Sequence, residues 1–423
     1  MPSKSDFSAM YALLSYWYGL VLCLHLGRPY ASLSASLPAL PPEARLQIYS
    51  LCLHLRLWSL PHYRSGTFAN DMRKNLRNVA LPGTGLALSY LCTNYLVAVL
   101  FLWIGVPLAA FAAAIVRVRG EAVVPPPRGL PRVGLFNAFA EALLACGNGG
   151  RAWFHYWRLN CALASYHALK TSDDGYALED KLTFLQACER EGVAVSPWLR
   201  HPRLVVKHRN EEGGLGLHTY NNADAGGDWI IQQWLENDAG IARLLPPNAP
   251  LSTLRLITAS KASAKPSTHV CAPSDVMLLS ACFRAGREGA MTDHSCIMFD
   301  VDVQAGRCRN GTSNAHWYQL GFAKALSCPW YSLGHTIASH PDSGRAVAGE
   351  PIPDMASCVK LVTEAHRKLM PRVPLVGWDV AITKEHGMLL LEANLSCNFF
   401  RATFDTDKYA AFVEEVLGFL EEN

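Results

Sequence analysis

The residues best suited to chemistry lie near the C-terminus, on two apolar segments that the pattern predicts to be neighbouring strands, residues 376–382 and 388–394. Asp379 interrupts the first segment, and Glu392 and Asn394 interrupt the second. Residues two apart on a strand share a face, and a buried carboxylate is costly unless a cation or hydrogen bonds compensate it. Three hard oxygen donors on adjacent strands predict a Mg²⁺ or Mn²⁺ site. The alternative is an edge hairpin whose acidic residues face water.

A second set of residues is suited to phosphate. The predicted strand 203–207 ends in Lys207, and Gly213, Gly214 and Gly216 follow it. Glycines after a strand let backbone N–H groups approach phosphate oxygens, and the lysine adds positive charge. A flexible hairpin turn explains the glycines equally well. The motif is not a Walker loop, because the lysine precedes the glycines.

A third segment, residues 229–235, reads as an apolar strand that contains Gln232 and Gln233 and ends at Leu235. A strand end of this kind can hold an adenine ring between aliphatic side chains and backbone donors. An ordinary core strand has the same pattern, so the segment alone does not decide between the two interpretations.

The composition narrows the class of protein. The net charge of the 423 residues is only +3, and no basic block interleaved with aromatic residues occurs, so we expect no nucleic-acid partner. Hydrophobic residues make up 50% of the chain and charged residues 17%, which favours membrane association. The 13 scattered cysteines contain no C-x-x-C pair, which indicates buried, reduced thiols.

The N-terminal part predicts a helical membrane-anchoring region over residues 1–120. Residues 86–116 contain no charged side chain. This run is long enough to span a bilayer, either as a kinked segment or as a helical hairpin. The alternative is a buried core helix. Residues 7–26 form a second candidate segment, and the arginine- and leucine-rich residues 44–64 predict an amphipathic helix at the membrane interface. A proline-rich linker over 121–136 then separates this region from the rest.

From residue 137 onward helical and strand-like segments alternate, and several strands are joined by short turns. The pattern therefore predicts an α+β domain over 137–423 with a mostly antiparallel sheet. The expected strands are 203–207, 229–233, 254–259, 276–283 and 295–303, and the expected helices are 178–191, 355–369 and 406–421.

The order of these segments resembles the ATP-grasp superfamily over about residues 150–420, and most closely its sugar-transfer-associated branch, which is related to the α-L-glutamate ligases. The resemblance implies an ATP-grasp fold, in which two α+β subdomains grip ATP. Lys181 is similar to the lysine before the glycine loop, and Lys207 to the second phosphate-contacting lysine. Gln232 and Gln233 are similar to the Gln-Glu pair beside adenine.

Further motifs of the branch follow in order. Residues 251–255 resemble its S-x-N-T-x-R motif and end in Arg255, and residues 283–287 resemble its F-R-x-G-R motif, with Arg284 and Arg287. The resemblance implies that these arginines act in catalysis. The G-W-D motif contains Asp379, and the E-x-N motif contains the other two predicted metal ligands.

The chain also departs from the family pattern. Asp293-His294 stands where the branch has Asp-Asn, and Ser295-Cys296 stands where it has two glycines. We therefore expect a changed acceptor side of the pocket, with His294 as a candidate general base beside a structural alternative.

The resemblance implies an ATP- and Mg²⁺-dependent ligase that activates a carboxylate as an acyl phosphate and joins it to an amine or similar nucleophile. Expected partners are small carboxylates and amines, or a saccharide-linked acceptor, together with membrane lipid. Two alternatives stay open: a nucleotide-binding membrane scaffold without turnover, and a phosphotransferase acting on a glycan or small hydroxyl compound. Since ATP is needed, we expect the catalytic part to face the cytosol or a stroma-like compartment.

Overall fold

The computed structural model describes residues 4–26, 30, 33, 40–76, 95–123, 134–144, 152–210, 215–293, 296–313, 337–399 and 402–422. The helices are α1 (Lys4–Leu20), prolonged by a π-helical turn at Val21–His25, α2 (Pro42–Leu57), α3 (Phe68–Leu76), α4 (Tyr95–Leu100), followed by a π-helical turn at Phe101–Gly105, α5 (Val106–Val123), α6 (Leu135–Leu144), α7 (Ala152–Thr171), α8 (Lys181–Arg190), α9 (Ala239–Ala242), α10 (Met355–Leu369) and α11 (Thr406–Glu422). The strands are β1 (Trp198–Leu199), β2 (Arg203–Lys207), β3 (Leu217–Asn221), β4 (Ile231–Gln232), β5 (Thr253–Ser260), β6 (Val276–Ala285), β7 (Ile297–Asp302), β8 (Arg307–Ser313), β9 (Leu375–Thr383) and β10 (Gly387–Asn394).

A six-stranded sheet in the order β10-β9-β5-β6-β7-β8 forms the centre of the molecule, and all of its strand pairs are antiparallel. Two small antiparallel pairs, β1 with β4 and β2 with β3, lie apart from it. The predicted α+β class and the antiparallel sheet are therefore confirmed. Short turns join β7 to β8 and β9 to β10, which requires antiparallel pairing there, since parallel pairing needs long crossover connections.

Alternate residues of a strand point to the same side of a sheet. On one face of this sheet those residues are apolar. Leu256 of β5 and Trp378 of β9 are fully buried there, together with Phe283 of β6. They pack in one cluster with Phe184 of α8 and Val362 of α10. The polar residues of the same strands consequently lie on the opposite face.

A chain of hydrogen bonds crosses this apolar layer. The indole Nε1 of Trp378 donates to Thr258 Oγ1 at 2.8 Å, and Thr258 Oγ1 lies 2.7 Å from His366 Nδ1. His366 Nε2 lies 2.9 Å from the carbonyl oxygen of Val373. These contacts suit a neutral imidazole that accepts at Nδ1 and donates at Nε2. Burial lowers the pKa of His366 to about 4, which keeps the ring neutral.

The N-terminal helices share a second core with the end of the chain. Buried residues of α2, such as Leu53, cluster with Leu159 of α7, Ile257 of β5 and Val413 of α11. Most residues of α2 are buried, so the helix lies inside the protein and is not the interfacial helix expected at residues 44–64. Its arginines allow this placement because they have partners within the fold: Arg45 Nε donates to Glu414 Oε1 of α11 at 2.7 Å.

The predicted transmembrane segments are not supported. In the described part of the chain no helix is both long and apolar enough to cross a bilayer. Of the uncharged run 86–116, residues 86–94 lie outside the described residues, and the rest is divided among α4, a π-helical turn and α5. The segment 7–26 forms most of α1 and its π-helical turn, and Tyr16 and Leu20 pack into the internal core. Residues 124–133 of the predicted linker lie outside the described residues, so the domain boundary stays a prediction.

Candidate functional site

A cleft of about 480 Å³ opens beside the polar face of the sheet. It brings together predicted site residues from distant parts of the chain, namely Lys181, Gln232, Gln233, Leu235, Arg284, Asp379 and Glu392. The predicted residues Lys207, Gly216, Arg255, Arg287 and Asn394 are not part of its lining. Gly213, Gly214 and His294 lie outside the described residues.

The polar face is organised by strand register. Asp379 of β9 stands directly opposite Arg255 of β5 on one side and Glu392 of β10 on the other. Directly opposed residues of antiparallel strands place their side chains on the same face. A carboxylate, a second carboxylate and a guanidinium therefore form one row across three neighbouring strands. The register shifts between Leu390 and Glu392, where the strand carries a bulge.

Asp379 and Arg255 form a buried, bidentate ion pair. Arg255 Nε donates to Asp379 Oδ1 at 2.5 Å, and Arg255 Nη2 donates to Oδ2 at 3.0 Å. Arg284 Nη1 adds a further hydrogen bond to Oδ2 at 3.2 Å. Burial by itself would raise the pKa of the Asp379 carboxyl, but the two guanidinium groups outweigh it, so the pKa lies below its ordinary value. Asp379 is thus a carboxylate held in place by two cations.

Arg284 also holds a second carboxylate, that of Asp293. Arg284 Nη2 donates to Asp293 Oδ1 at 2.9 Å, and Thr253 Oγ1 donates to Asp293 Oδ2 at 2.5 Å. Burial raises the pKa of Asp293 above its ordinary value, although Arg284 and Thr253 act against it. Asp293 and Thr253 line the cleft but were absent from the predicted site residues. Thr253 lies in the segment 251–255 that resembles the S-x-N-T-x-R motif, and Asp293 lies where the branch has Asp-Asn. These two resemblances could have identified both residues.

Lys181 enters the cleft at the start of α8. Asp180 caps this helix, since its Oδ1 accepts from the backbone N–H of Thr183 at 2.9 Å and so fixes where the first turn begins. Lys181 Nζ then lies 2.9 Å from Glu392 Oε2. Asn394 Nδ2 donates to Glu392 Oε1 at 3.4 Å. The predicted phosphate lysine and the predicted metal carboxylate are therefore neighbours.

Of the three predicted metal ligands, Asp379 and Glu392 line the cleft, whereas Asn394 does not. Glu392 lies directly opposite Asp379 on the neighbouring strand, and its carboxylate contacts the amide of Asn394. All three groups present oxygen atoms, the donor type that Mg²⁺ prefers. The Glu392 side chain is 29% exposed and lines the cleft. The described residues contain no group of three or more His, Cys, Asp or Glu residues that could hold a metal, so such a site would depend on the Asn394 amide.

The end of β4 forms another wall of the cleft. Gln232 Nε2 donates to Ser196 Oγ at 3.0 Å, and Gln233 Nε2 donates to Glu385 Oε2 at 3.0 Å. These contacts fix both amides, while Leu235 presents a nearly buried aliphatic side chain to the cleft. Ser196 was not predicted, because nothing in its local sequence marks it.

Two predicted residues have other surroundings. Lys207 ends strand β2, which pairs only with β3 in an exposed hairpin, and the backbone N–H of His208 closes the hairpin on the carbonyl of Gly216 at 3.0 Å. Gly216 has a φ of +63°, which favours glycine. Arg287 forms a bidentate ion pair with Asp342, with Nε donating to Oδ2 at 2.7 Å, and does not line the cleft.

Gly377 of the G-W-D motif is required by close packing under the ion-pair row. A Cβ atom at this position would lie 2.7 Å from Cys397 Cβ and 3.4 Å from Arg255 Cδ. The missing side chain therefore leaves room for Cys397, and an added Cβ would only touch the aliphatic stem of Arg255.

One comparison with known protein families covers most of this site. Residues 219–401 match the model of the family described as sugar-transfer associated ATP-grasp, a range that includes β4, the ion-pair row and the E-x-N motif. This part of the chain is therefore similar to the sugar-transfer-associated ATP-grasp branch that the motifs predicted, and the match supports the predicted ATP-grasp fold. One similar solved structure is D-alanyl-alanine synthetase A from Vibrio cholerae O1 biovar eltor str. N16961, at 10% identity over 58% of this chain and 67% of that chain, with a TM-score of 0.26. No protein with a curated description matches the chain.

Proposed function

We propose that the protein is an ATP-dependent ligase that activates a carboxylate as an acyl phosphate and joins it to an amine or similar nucleophile. One observation carries the proposal: a single cleft combines Lys181, the amide-bearing end of β4 and the Asp379–Glu392 carboxylates, and residues 219–401 match an ATP-grasp family. The cleft therefore offers positive charge, an apolar wall and acidic oxygens within one volume.

Each group has a chemical task in this reaction. The apolar and amide groups around Leu235 and Gln232 would hold the adenine ring, and Lys181 would contact phosphate oxygens. Arg284, which Asp379 and Asp293 hold in place, would bind the substrate carboxylate or the transferring phosphoryl group. Arg255 would orient Asp379 rather than touch substrate, since it lies outside the cleft lining.

The reaction has two balanced steps. A carboxylate oxygen attacks the γ-phosphorus, the bond from this phosphorus to the β,γ-bridging oxygen breaks, and ADP leaves with the electron pair. The amine nitrogen then attacks the acyl carbon, phosphate leaves, and the nitrogen loses a proton to form the amide. His294 stays a candidate general base for that proton, and Arg287 a candidate for a more distant contact with the acceptor.

Asp379, Glu392 and Asn394 would hold Mg²⁺ or Mn²⁺, which when bound would neutralise the charge on the phosphate oxygens. Lys207 and Gly216 would reach the phosphates through a movement of the β2–β3 hairpin toward the cleft, and Gly213 and Gly214 stay candidates by resemblance alone. That movement belongs to the proposal.

Hydroxylamine trapping tests the acyl phosphate directly. The full-length protein is incubated with ATP, Mg²⁺, hydroxylamine and a panel of small carboxylates, and both ADP and hydroxamate are measured. We expect ADP release that depends on one class of carboxylate, with hydroxamate formed in equal amount. Glu392→Gln should form no hydroxamate, and Glu350→Gln, which alters the exposed ion pair with Arg243 outside the cleft lining, serves as its control.

The same assay separates the alternatives. A phosphotransferase would release ADP in the presence of a hydroxyl compound and give a phosphate ester but no hydroxamate. A nucleotide-binding scaffold would bind ATP and release no ADP with any member of the panel. Either result would remove the ligase proposal.

We also propose that the N-terminal helices bind a lipid surface from one side, with the catalytic part in the cytosol or a stroma-like compartment where ATP is present. The support is an exposed apolar stripe on α4, its π-helical turn and α5, formed by Leu96, Leu100, Ile104, Leu108 and Phe111. Trp103 of the same segment stacks on Trp17 of α1 at 5.3 Å, and α1 exposes further apolar side chains. Amphipathic surfaces of this kind bind the boundary between headgroups and acyl chains.

Flotation with anionic vesicles tests the lipid contact. We expect the full-length protein to float with the vesicles and the variant Leu100→Glu/Leu108→Glu to stay in the aqueous fraction. Leu169→Glu changes an exposed leucine of α7 outside the stripe and should still float. A wild-type protein that fails to float would end this part of the proposal.

A further inference from the structure

Arg64 lies between α2 and α3, far outside the residues that match the family. Its side chain contacts the segments that support two sides of the cleft. Its Nε donates to Glu179 Oε2 at 2.6 Å, and its Nη2 donates to Ser396 Oγ at 2.7 Å. A third hydrogen bond runs from Nη1 to Asp71 Oδ1 of α3 at 3.0 Å. One guanidinium group thus joins three separate segments of the chain.

These segments lead directly to cleft residues. Glu179 ends the 3₁₀ turn Asp174–Glu179, two residues before Lys181. Its Oε1 also accepts from the backbone N–H of Leu395 at 3.1 Å, and Leu395 immediately follows Asn394. Glu179 and its partner Arg64 therefore connect the start of α8 with the end of β10, the two elements that carry the Lys181–Glu392 pair.

Packing makes this connection rigid. The Tyr63 ring lies 4.7 Å from the ring of Tyr176, which belongs to the same 3₁₀ turn as Glu179. The Glu179 side chain is 13% exposed and that of Asp71 only 6%, while Arg64 is 30% exposed. Arg64 Nη2 also donates to Glu179 Oε1, and a planar guanidinium that bonds a carboxylate in two places fixes orientation as well as distance.

We infer that Arg64 is a positioning residue for nucleotide binding, which sets the distance between Lys181 and the Glu392–Asn394 pair from the N-terminal region. The inference rests on the proposed nucleotide cleft and extends it: the N-terminal helices would then be part of the active-site framework. Loosening the Arg64–Glu179 contact should separate Lys181 from Glu392 and weaken the binding of a polyphosphate.

The conservative variant Arg64→Lys keeps the charge and removes the bidentate geometry. Its matched control is Arg45→Lys, which alters another N-terminal arginine paired with a glutamate, in this case Glu414 on α11. Two properties are measured in the full-length proteins: the rate of Lys181 acetylation without nucleotide, by mass spectrometry, and the Kd of Mg²⁺ with the β,γ-imido analogue of ATP.

We expect Arg64→Lys to raise the Lys181 acetylation rate and to increase the Kd by about 5-fold or more. Arg45→Lys should change neither property. In the background Lys181→Ala the effect of Arg64→Lys on Kd should largely vanish, because two residues that act through one contact are not additive. Ser396→Ala, which removes a single Arg64 contact, should shift both properties in the same direction by less.

Two results would overturn the inference: equal changes in Arg64→Lys and Arg45→Lys, or additive effects of Arg64→Lys and Lys181→Ala on Kd. If the wild-type protein does not bind the analogue but acetylation still rises only in Arg64→Lys, the positioning contact stands and the proposed nucleotide function falls. If the analogue binds and Arg64→Lys changes neither property, the positioning role falls and the proposed function stands.

Discussion

Lys181 and Glu392 form an ion pair between the start of α8 and the end of β10, with 2.9 Å between Nζ and Oε2. The Lys181 side chain is 65% exposed, and an ion pair this accessible to water stabilises a protein by about 1 kcal/mol at most. The pair can therefore break at small cost when an anion competes for the lysine. This property suits a residue that binds nucleotide phosphates.

Replacing Lys181 by alanine should consequently affect binding more than stability. Charge-assisted hydrogen bonds contribute about 1.5–3 kcal/mol, so we expect the Kd for ATP to rise about 10-fold or more. Calorimetric titration gives the Kd, and thermal unfolding gives the stability. Lys384→Ala is the control, since Lys384 has the same exposure and a similar ion pair with Glu236 outside the cleft lining. Equal Kd values in both variants would argue against a phosphate role for Lys181.

Asp379→Asn, unlike Lys181→Ala, should greatly reduce the stability of the protein as well as its activity. Arg255 and Arg284 would face each other near a neutral amide in a buried layer, and breaking a buried pair from one side costs about 3–5 kcal/mol. Urea unfolding measures this loss. The more exposed pair Arg287–Asp342 offers the comparison, because Asp342→Asn should cost only about 1 kcal/mol. Similar losses in the two variants would contradict the described burial.

Stability should fall in mild acid because of His366. Burial lowers its folded-state pKa to about 4, below its ordinary value of about 6.5. Between these values the unfolded state takes up a proton that the folded state excludes, so the stabilisation is complete above pH 6.5 and decreases toward pH 4, by at most about 3 kcal/mol. Urea unfolding at several pH values measures the slope.

A non-titrating variant isolates this contribution. His366→Gln should reduce the slope between pH 6.5 and 4 without abolishing it, because burial also lowers the pKa of His167 to about 4. Slopes are compared rather than absolute stabilities, since the glutamine changes the packing against Trp378. An unchanged slope would show that His366 titrates normally in the folded protein.

Gly377→Ala should disturb the ion-pair row through packing alone. The added methyl group would meet Cys397 and the stem of Arg255, and overpacking of this kind costs about 1–3 kcal/mol. The rate of ADP release should fall by more than the loss of folded protein explains, because Arg255 holds Asp379 in place. Gly134→Ala is the control, because a Cβ atom there meets nothing within 4 Å. The melting temperatures and ADP release of both variants give the comparison.

Much of the secondary structure could be predicted from local pattern. The strand at 203–207 and the helix at 355–369 have the predicted bounds. The bounds of the central strands differ from the predicted ones by one or two residues. Hydrophobic periodicity and glycine turns carry this information within a few residues of the chain. The G-W-D and E-x-N motifs also identified two cleft-lining carboxylates.

The pairing of the charges could not be predicted, because it depends on strand register. Arg255 and Asp379 are 124 residues apart, and only the antiparallel alignment of β5 with β9 places them opposite each other. Arg64 and Glu179 are 115 residues apart, in a region where no motif marks either residue. Their contact follows from packing of the N-terminal helices against the sheet domain.

The sequence by itself determined the elements, the antiparallel α+β class and the residue types available for nucleotide chemistry, since these depend on short-range periodicity and composition. The tertiary structure decided which charges meet, and it decided that α2 and one side of α1 bury apolar residues inside the protein. Hydrophobicity measures only the tendency to leave water. Whether a lipid phase or another part of the same chain receives the apolar surface depends on long-range packing.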